Sequence, residues 1–375
     1  MTADSNKLNL ELTGLVDPAP RADKKPEDGP VANLIDQVIE LSGGKPGTLE
    51  TRLVRDLITS AAKLIADGRD PGELKLITAA VKEMRYAYRV FARYAQPHKV
   101  TIFGSARTPD DHPDFSACVE FSKLMAERGW MSITGAGGGI MKAGHVGTGR
   151  EASFGVAIRL PFEQSTNTVI AGDEKLIHFR YFFTRKLMFL SQAEAVALFP
   201  GGFGTFDEAF ETLTLVQTGK SQMIPIVCLE GPGGSFWQGF LRFVKEELLA
   251  RGFISPEDLS LFHLSPDPAD AVEHIVRFYR NYHSSRYVKD DLVIRLQRPL
   301  SPAQIETLNA EFGVLVKSGV ISARGPYPEE SDALDLPRIA FTHTRSKFGL
   351  LRRLIDRING FDAPPTTATS PAGAP

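Results

Sequence analysis

The stretch AVALFPGGFGTFDE, residues 195–208, runs from an apolar segment through a glycine-rich turn into the start of a helical pattern, and that order recurs along the middle of the chain. Other short apolar runs are VTIFG from Val100, WMSITG from Trp130, GVAIRL from Gly155 and IPIVCL from Ile224, with helical segments between them, the first at about 115–128. Strands alternating with helices specify parallel strands joined by right-handed crossovers. The expected fold is therefore α/β, a doubly wound, Rossmann-like parallel sheet over residues 99–285, closed by helices at 236–251 and 270–283. In such sheets ligands bind beyond the carboxyl ends of the strands, and here those ends carry the glycines.

Outward from this centre the pattern changes. Residues 1–30 are polar and proline-containing, too poor in apolar surface to offset the entropy of ordering, and read as a flexible tail. Helical periodicity marks 31–41, 49–67 and 71–94, a helical region spanning 31–98. In its third helix Leu74, Ile77, Val81, Met84, Tyr88 and Phe91 form one apolar stripe. Residues 286–360 read as a small α+β unit, with DLVIRLQ and PRIAFTHT as strands, Ser301-Pro302 opening a helix, and a basic helix near 347–358. The Pro/Thr/Ala-rich end, 361–375, needs no fold.

Composition sets the broad class. Hydrophobic residues make up 42% and charged residues 23% of 375, enough for a sizeable core, and the formal net charge of −2 supplies no field that would draw the molecule to nucleic acid or an anionic membrane. Cys118 and Cys228 lack CxxC spacing, which points to packing in a reducing cytosol, with no metal site. No apolar run approaches the roughly 20 residues of a membrane span, and the start lacks a secretory pattern. The expected location is cytoplasmic.

Four strand exits could hold an anion: Gly104-Ser105-Ala106-Arg107, the loop from Thr134 through Gly135, Ala136, Gly137 and Gly138 to Gly139, Leu160-Pro161-Phe162-Glu163, and Pro200-Gly201-Gly202-Phe203-Gly204-Thr205. Glycine lets backbone N–H groups approach a ligand closely, and a helix starting next adds about half a positive charge. One such loop is more often a tight turn; several on one sheet edge point to phosphate. A Walker A loop is excluded because Thr214 stands where its first glycine belongs, and a dinucleotide fingerprint because Ile140 occupies its third small position. No nucleotide cofactor is expected.

Segment 178–188, HFRYFFTRKLM, interleaves aromatic and basic residues; Arg185 can grip an anionic oxygen in a fixed fork, although an amphipathic helix packed on its aromatics has the same composition. Downstream, Thr205 is expected to cap a helix, with Asp207 and Glu208 in its first turn. A helix end that welcomes phosphate should not hold two carboxylates beside it unless one faces elsewhere. Glu208 can meet a sugar, where a carboxylate stabilises the charge that develops as an N-glycosidic bond breaks or activates the attacking water.

These residues together resemble the Lonely Guy family, whose older descriptions are lysine decarboxylase-like. The pattern is Arg185-Lys186 followed by PGGxGTxxE, here Pro200 to Glu208; the likeness runs over about 99–282 and includes GSAR, the triple glycine followed by Ile140-Met141, and LPFEQ with Asn167. The resemblance implies a phosphoribohydrolase that splits a nucleoside 5′-monophosphate into base and ribose 5-phosphate without a cofactor, as a homodimer or larger assembly. It places Arg185 and Glu208 as the catalytic pair and Gly201, Gly202, Gly204 and Thr205 as the phosphate cradle. Gly104, Ser105, Gly137, Gly138, Gly139, Glu163, Asn167 and Lys186 fall around the base and sugar. The chain departs from many relatives in lacking proline as the next-to-last residue of the 134–139 loop, which bears on base preference. The decarboxylase label would need a pyridoxal-binding lysine, and only Lys186, already used by the motif, stands out. A second reading is a nucleotide sensor or carrier acting through the basic residues Arg345, Lys347, Arg352, Arg353 and Arg357; a nucleic-acid binder is disfavoured by the balanced charge.

Overall fold

A computed structural model describes residues 29–159 and 166–361. By its contacts the chain divides into two compact units, with the boundary between Tyr86 and Ala87. The first holds helices α1 (Pro30–Leu41) and α2 (Leu49–Ala66) and the start of α3 (Pro71–Phe91). Pro30 occupies the first turn of α1, where its missing N–H costs nothing. Thr48 caps α2 by accepting from the Thr51 amide at 3.2 Å, and Arg55 reaches back to Asp36 at 2.7 Å to join the two helices.

The larger unit begins at the end of α3, where Phe91 stacks on Phe154 at 4.4 Å. Along the chain follow β1 (Lys99–Phe103), α4 (Pro113–Glu127), β2 (Met131–Thr134), α5 (Ile140–Thr148), β3 (Ser153–Ile158), β4 (Leu176–Phe179), α6 (Phe182–Ser191), β5 (Ala195–Leu198), α7 (Phe203–Gln217), β6 (Ile226–Cys228), α8 (Phe236–Phe243), β7 (His263–Leu264) and α9 (Pro268–Phe278). The seven strands form one parallel sheet in the order β4-β3-β2-β1-β5-β6-β7. Every residue of β1, β2 and β5 is buried, as expected of a sheet covered by helices on both faces, and this is why those runs are apolar rather than alternating. Val100, Ile102, Cys118, Phe121, Met125, Phe199 and Ile275 belong to the main core. Cys118 and Cys228 are free and buried.

The strand order reverses between β1 and β5, the position where such sheets open a crevice at their carboxyl edge. The Ser105 amide donates to the Pro200 carbonyl at 3.0 Å across this gap.

A second, antiparallel sheet, β10-β11-β9-β8, belongs to the same compact unit. It contains β8 (Tyr282–Val288), β9 (Asp291–Leu296), β10 (Val316–Arg324) and β11 (Arg338–His343), accompanied by α10 (Pro302–Phe312) and α11 (Phe348–Gly360). Ser301 and Gln304 form a capping box at the start of α10, at the Ser-Pro signal. Beside the sheet lies a buried ionic cluster. Glu330 Oε1 accepts from Arg295 Nη2 and from Arg338 Nη1, each at 2.7 Å, Glu330 Oε2 accepts from the Tyr327 amide at 2.9 Å, and Arg295 Nη1 donates to Asp332 at 2.9 Å.

Several elements differ from the sequence reading. The short strand β4 precedes α6 in a segment read as helix alone. Helix α9 ends at Phe278 rather than continuing to 283. Asn359 stops it: its side chain donates to the Phe278 carbonyl at 2.6 Å and accepts from the amides of Asn281 and Tyr282 at 2.8 and 2.9 Å, releasing Tyr282 into β8. After α8 the chain widens into a π-helical turn, Val244–Leu249. Of the basic residues in and just before α11, only Arg352 is buried, while Arg345, Lys347, Arg353 and Arg357 are exposed. Arg352 is 1% exposed and bonded to Asp356 and His274, Arg357 pairs with Glu311, and Arg345 pairs with Asp290. Among the described residues, no helix is long and apolar enough to cross a membrane, and no group of three or more His, Cys, Asp or Glu side chains is arranged to hold a metal.

Candidate functional site

The site is built on the first turns of α7. Gly202 is the N-cap, not Thr205, so Asp207 and Glu208 lie beyond the first turn. The PGG turn ends the strand early, and the helix can begin at Phe203 because its first amides need no intrahelical partner. Those amides, with the helix dipole, present a positive end to the crevice between β1 and β5.

The glycines divide into two kinds. A Cβ at Gly202 or Gly204 would meet nothing within 4 Å, so no protein atom demands glycine there, and the missing side chains leave open space over the helix end. A Cβ at Gly201 would collide with Thr205, one at Gly104 would come within 2.7 Å of Ile140, and one at Gly139 would collide with the Ser105 carbonyl. Gly139 also has φ +57°, a left-handed conformation that favours glycine. These glycines let the loops after β1, β2 and β5 close on one another.

A cleft of about 850 Å³ opens at this edge. Of the residues expected from sequence, Gly104, Ser105, Arg185, Gly201, Gly202, Gly204, Thr205 and Glu208 line it. Gly137, Gly138, Gly139, Asn167 and Lys186 do not. Glu163 lies outside the described residues. The wall also includes Arg107, Met141, Phe182, Phe203 and Phe206, which the sequence reading did not assign to the site.

Asn167 acts on the loop rather than on the cleft. Its side-chain amide donates to the Gly137 carbonyl at 3.0 Å, and its backbone N–H donates to the Ala136 carbonyl at 2.9 Å. The same amide lies 3.1 Å from His145 Nδ1, while His145 Nε2 is 3.0 Å from both the Phe154 carbonyl and the Thr134 hydroxyl. The carbonyl requires a proton on Nε2, leaving Nδ1 to accept from Asn167. Burial lowers the His145 pKa, consistent with this neutral imidazole. His145 is thus a latch holding the glycine loop, and a single histidine in an apolar helix gave no sign of it in the sequence.

Arg185 projects from α6 between two rings, its guanidinium carbon 4.9 Å from the centre of Phe182 and 5.5 Å from that of Phe189. Among the described residues, its buried Nε has no hydrogen-bond partner, and neither does Glu208 Oε2. Glu208 is 4% exposed, and among the described residues no ion pair within 4.0 Å joins it to Arg185. Burial pushes the Glu208 carboxyl up to about 7, against the opposing pull of Lys186 and Arg185. Burial lowers the Arg185 pKa, with Glu208 opposing. An unpartnered carboxylate and an unpartnered guanidinium nitrogen near one cleft represent hydrogen-bonding capacity that the protein leaves unspent.

Residues 138–275 match the model of a family described as possible lysine decarboxylase. The Lonely Guy resemblance is shown for this segment. The match takes in Arg185, Lys186 and the whole PGGFGTFDE turn, the Lonely Guy motif read above, and begins after the GSAR loop. No curated protein matches the chain. Among solved structures, that of TM1055 is 20% identical over 48% of this chain and 99% of its own, with a TM-score of 0.36. The molybdenum cofactor carrier protein of Chlamydomonas reinhardtii is 18% identical over 48% of this chain and 98% of its own, TM-score 0.33. The molybdenum cofactor binding protein of Rippkaea orientalis is 16% identical over 48% and 96%, TM-score 0.35. These likenesses are too distant to carry an argument about chemistry.

Proposed function

We propose that this protein hydrolyses the N-glycosidic bond of a nucleoside 5′-monophosphate, AMP-like or a cytokinin riboside monophosphate, to free base and ribose 5-phosphate. The observation that carries the reading is that Glu208 and Arg185 line the same cleft as the open glycine turn of α7. Phosphate sits at the amides of Gly202, Phe203 and Gly204, where the two open glycines clear its approach. The anomeric carbon then lies toward Glu208, one turn further along the helix. The C1′–N bond breaks with its electron pair passing to the base, and positive charge grows on the ribose. Ionised Glu208 stabilises that charge and takes a proton from the water that attacks C1′, while the leaving base nitrogen takes one from solvent, to which Glu208 later returns its own, so that one water is consumed overall. Arg185 holds an anionic or hydroxyl oxygen and orients the nucleotide.

In this proposal residues 99–285 are the catalytic domain, residues 31–98 and 286–360 are additions to it, and the protein is cytoplasmic. Phe182 and Phe183, each 52% exposed, offer apolar surface for a second copy in a homodimer or larger assembly. The alternative is a nucleotide-binding sensor or carrier acting through its extra domains, where Arg352 is buried against Asp356 while Arg345 and Arg357 form exposed ion pairs with Asp290 and Glu311. Purified protein incubated separately with AMP, GMP, CMP and N6-isopentenyl AMP is expected to release ribose 5-phosphate from at least one of them. Release from none overturns the proposal.

A further inference from the structure

Lys186 follows Arg185 directly in α6, yet its side chain turns away from the cleft. The ammonium lies 2.9 Å from Asp207 Oδ1, as a hydrogen bond, and 2.7 Å from Glu211 Oε2, and the side chain is 16% exposed. Asp207 and Glu211 stand at i and i+4 on α7, where like charges repel. Glu208 lies on the same stretch of helix, one residue after Asp207 and three before Glu211. A single cation from α6 therefore relieves the repulsion and ties α6 to α7 beside the two groups that line the cleft.

We propose that Lys186 is a positioning residue: by bridging Asp207 and Glu211 it fixes α6 against α7, so that Arg185 and Glu208 face one substrate, and it does this without touching that substrate. The inference rests on the functional reading above for its kinetic consequence but not for its geometry. The charged groups facing Glu208 are Asp207 and Glu211 on its own helix and Arg185 and Lys186 on α6, and Arg107 shares the cleft wall. Lys186 is the foremost charge lowering the Glu208 pKa, while Asp207 and Glu211 raise it. Removing the ammonium leaves two unpaired carboxylates beside a third, and the proton on Glu208 should then be held to higher pH.

The test is the pH profile of kcat/KM for Lys186→Met, Lys186→Arg and Glu211→Gln. For Lys186→Met the acid limb should move up by about one unit, with turnover at pH 7 falling about fivefold and recovering above pH 8, while KM stays within about twofold. Lys186→Arg should restore the limb, and Glu211→Gln should move it the opposite way. A KM raised tenfold with an unmoved limb would make Lys186 a substrate contact and overturn the inference. A second readout needs no activity. The pH at which wild type and Glu208→Gln diverge in urea stability reports the Glu208 titration, and it should rise in the Lys186→Met background. If the wild type hydrolyses nothing but this midpoint shifts, the functional reading fails and the positioning role stands; an unmoved midpoint overturns the positioning role whatever the activity.

Discussion

Two glutamates in this molecule are buried beside two cations each, and they meet opposite fates. Glu330 accepts hydrogen bonds from Arg295 and Arg338 at 2.7 Å and from the Tyr327 amide at 2.9 Å. Burial pushes its pKa up, but the Tyr327 amide and the guanidinium groups outweigh that push and hold the carboxyl below its ordinary range. Glu208 has Arg185 and Lys186 nearby but contacts neither, and burial prevails, raising it to about 7. The number of neighbouring charges is similar; the difference is direct hydrogen bonding, which stabilises a buried anion far more than charge at a distance. The first arrangement fastens a sheet. The second leaves a buried carboxylate without such bonds, its pKa raised toward neutrality.

The contrast can be broken most forcefully at Glu208. Glu208→Gln is expected to lower turnover by about 100- to 10,000-fold, the range for losing a general base, with nucleotide affinity little changed. Its stability should move the other way. A carboxyl with a raised pKa costs the folded state nothing below about pH 4.5 and an increasing amount as pH climbs toward 7, so above pH 7 the variant should be more stable by up to about 3 kcal/mol. Urea denaturation from pH 4 to 8 checks both the sign and the window; equal stability at pH 8 would show that ionised Glu208 bears no burial cost.

Glu330→Gln should do the reverse, costing about 3–5 kcal/mol because it leaves buried guanidinium groups undercompensated. Turnover per folded molecule should be unaffected, as measured by denaturation alongside ribose 5-phosphate release. The smallest effect distinguishes the two kinds of glycine. Gly204→Ala meets open space, so folding should be unaltered while KM rises about tenfold, equivalent to about 1.4 kcal/mol of lost binding. A variant with unchanged KM would remove the open turn from the site.

Much of this was legible in the sequence because the signals were local. Apolar runs located five of the seven strands of the parallel sheet, and the PGGFGTFDE turn led directly to a real helix start beside a cleft. The errors arose where a distant residue decides. Nothing within 270–283 reveals that Asn359 will end α9. Thr205 resembles a cap, yet the chain turns earlier because two glycines precede it. Asn167 and Lys186 both belong to motif segments near the site, but the direction of each side chain depends on partners elsewhere in the fold, His145 and Gly137 for one, Asp207 and Glu211 for the other. Motif spacing identifies the neighbourhood of a residue, while its task follows from which polar groups it meets.

The bond from the Ser105 amide to the Pro200 carbonyl has one more consequence. It joins the loops after β1 and β5, strands that are neighbours in the sheet but lie far apart along the chain, so the contact waits on a long-range pairing. During vectorial synthesis the cleft therefore has no floor until β5 has emerged from the ribosome. A truncated product ending before Pro200 could retain GSAR and the triple glycine and still lack a place to put a nucleotide.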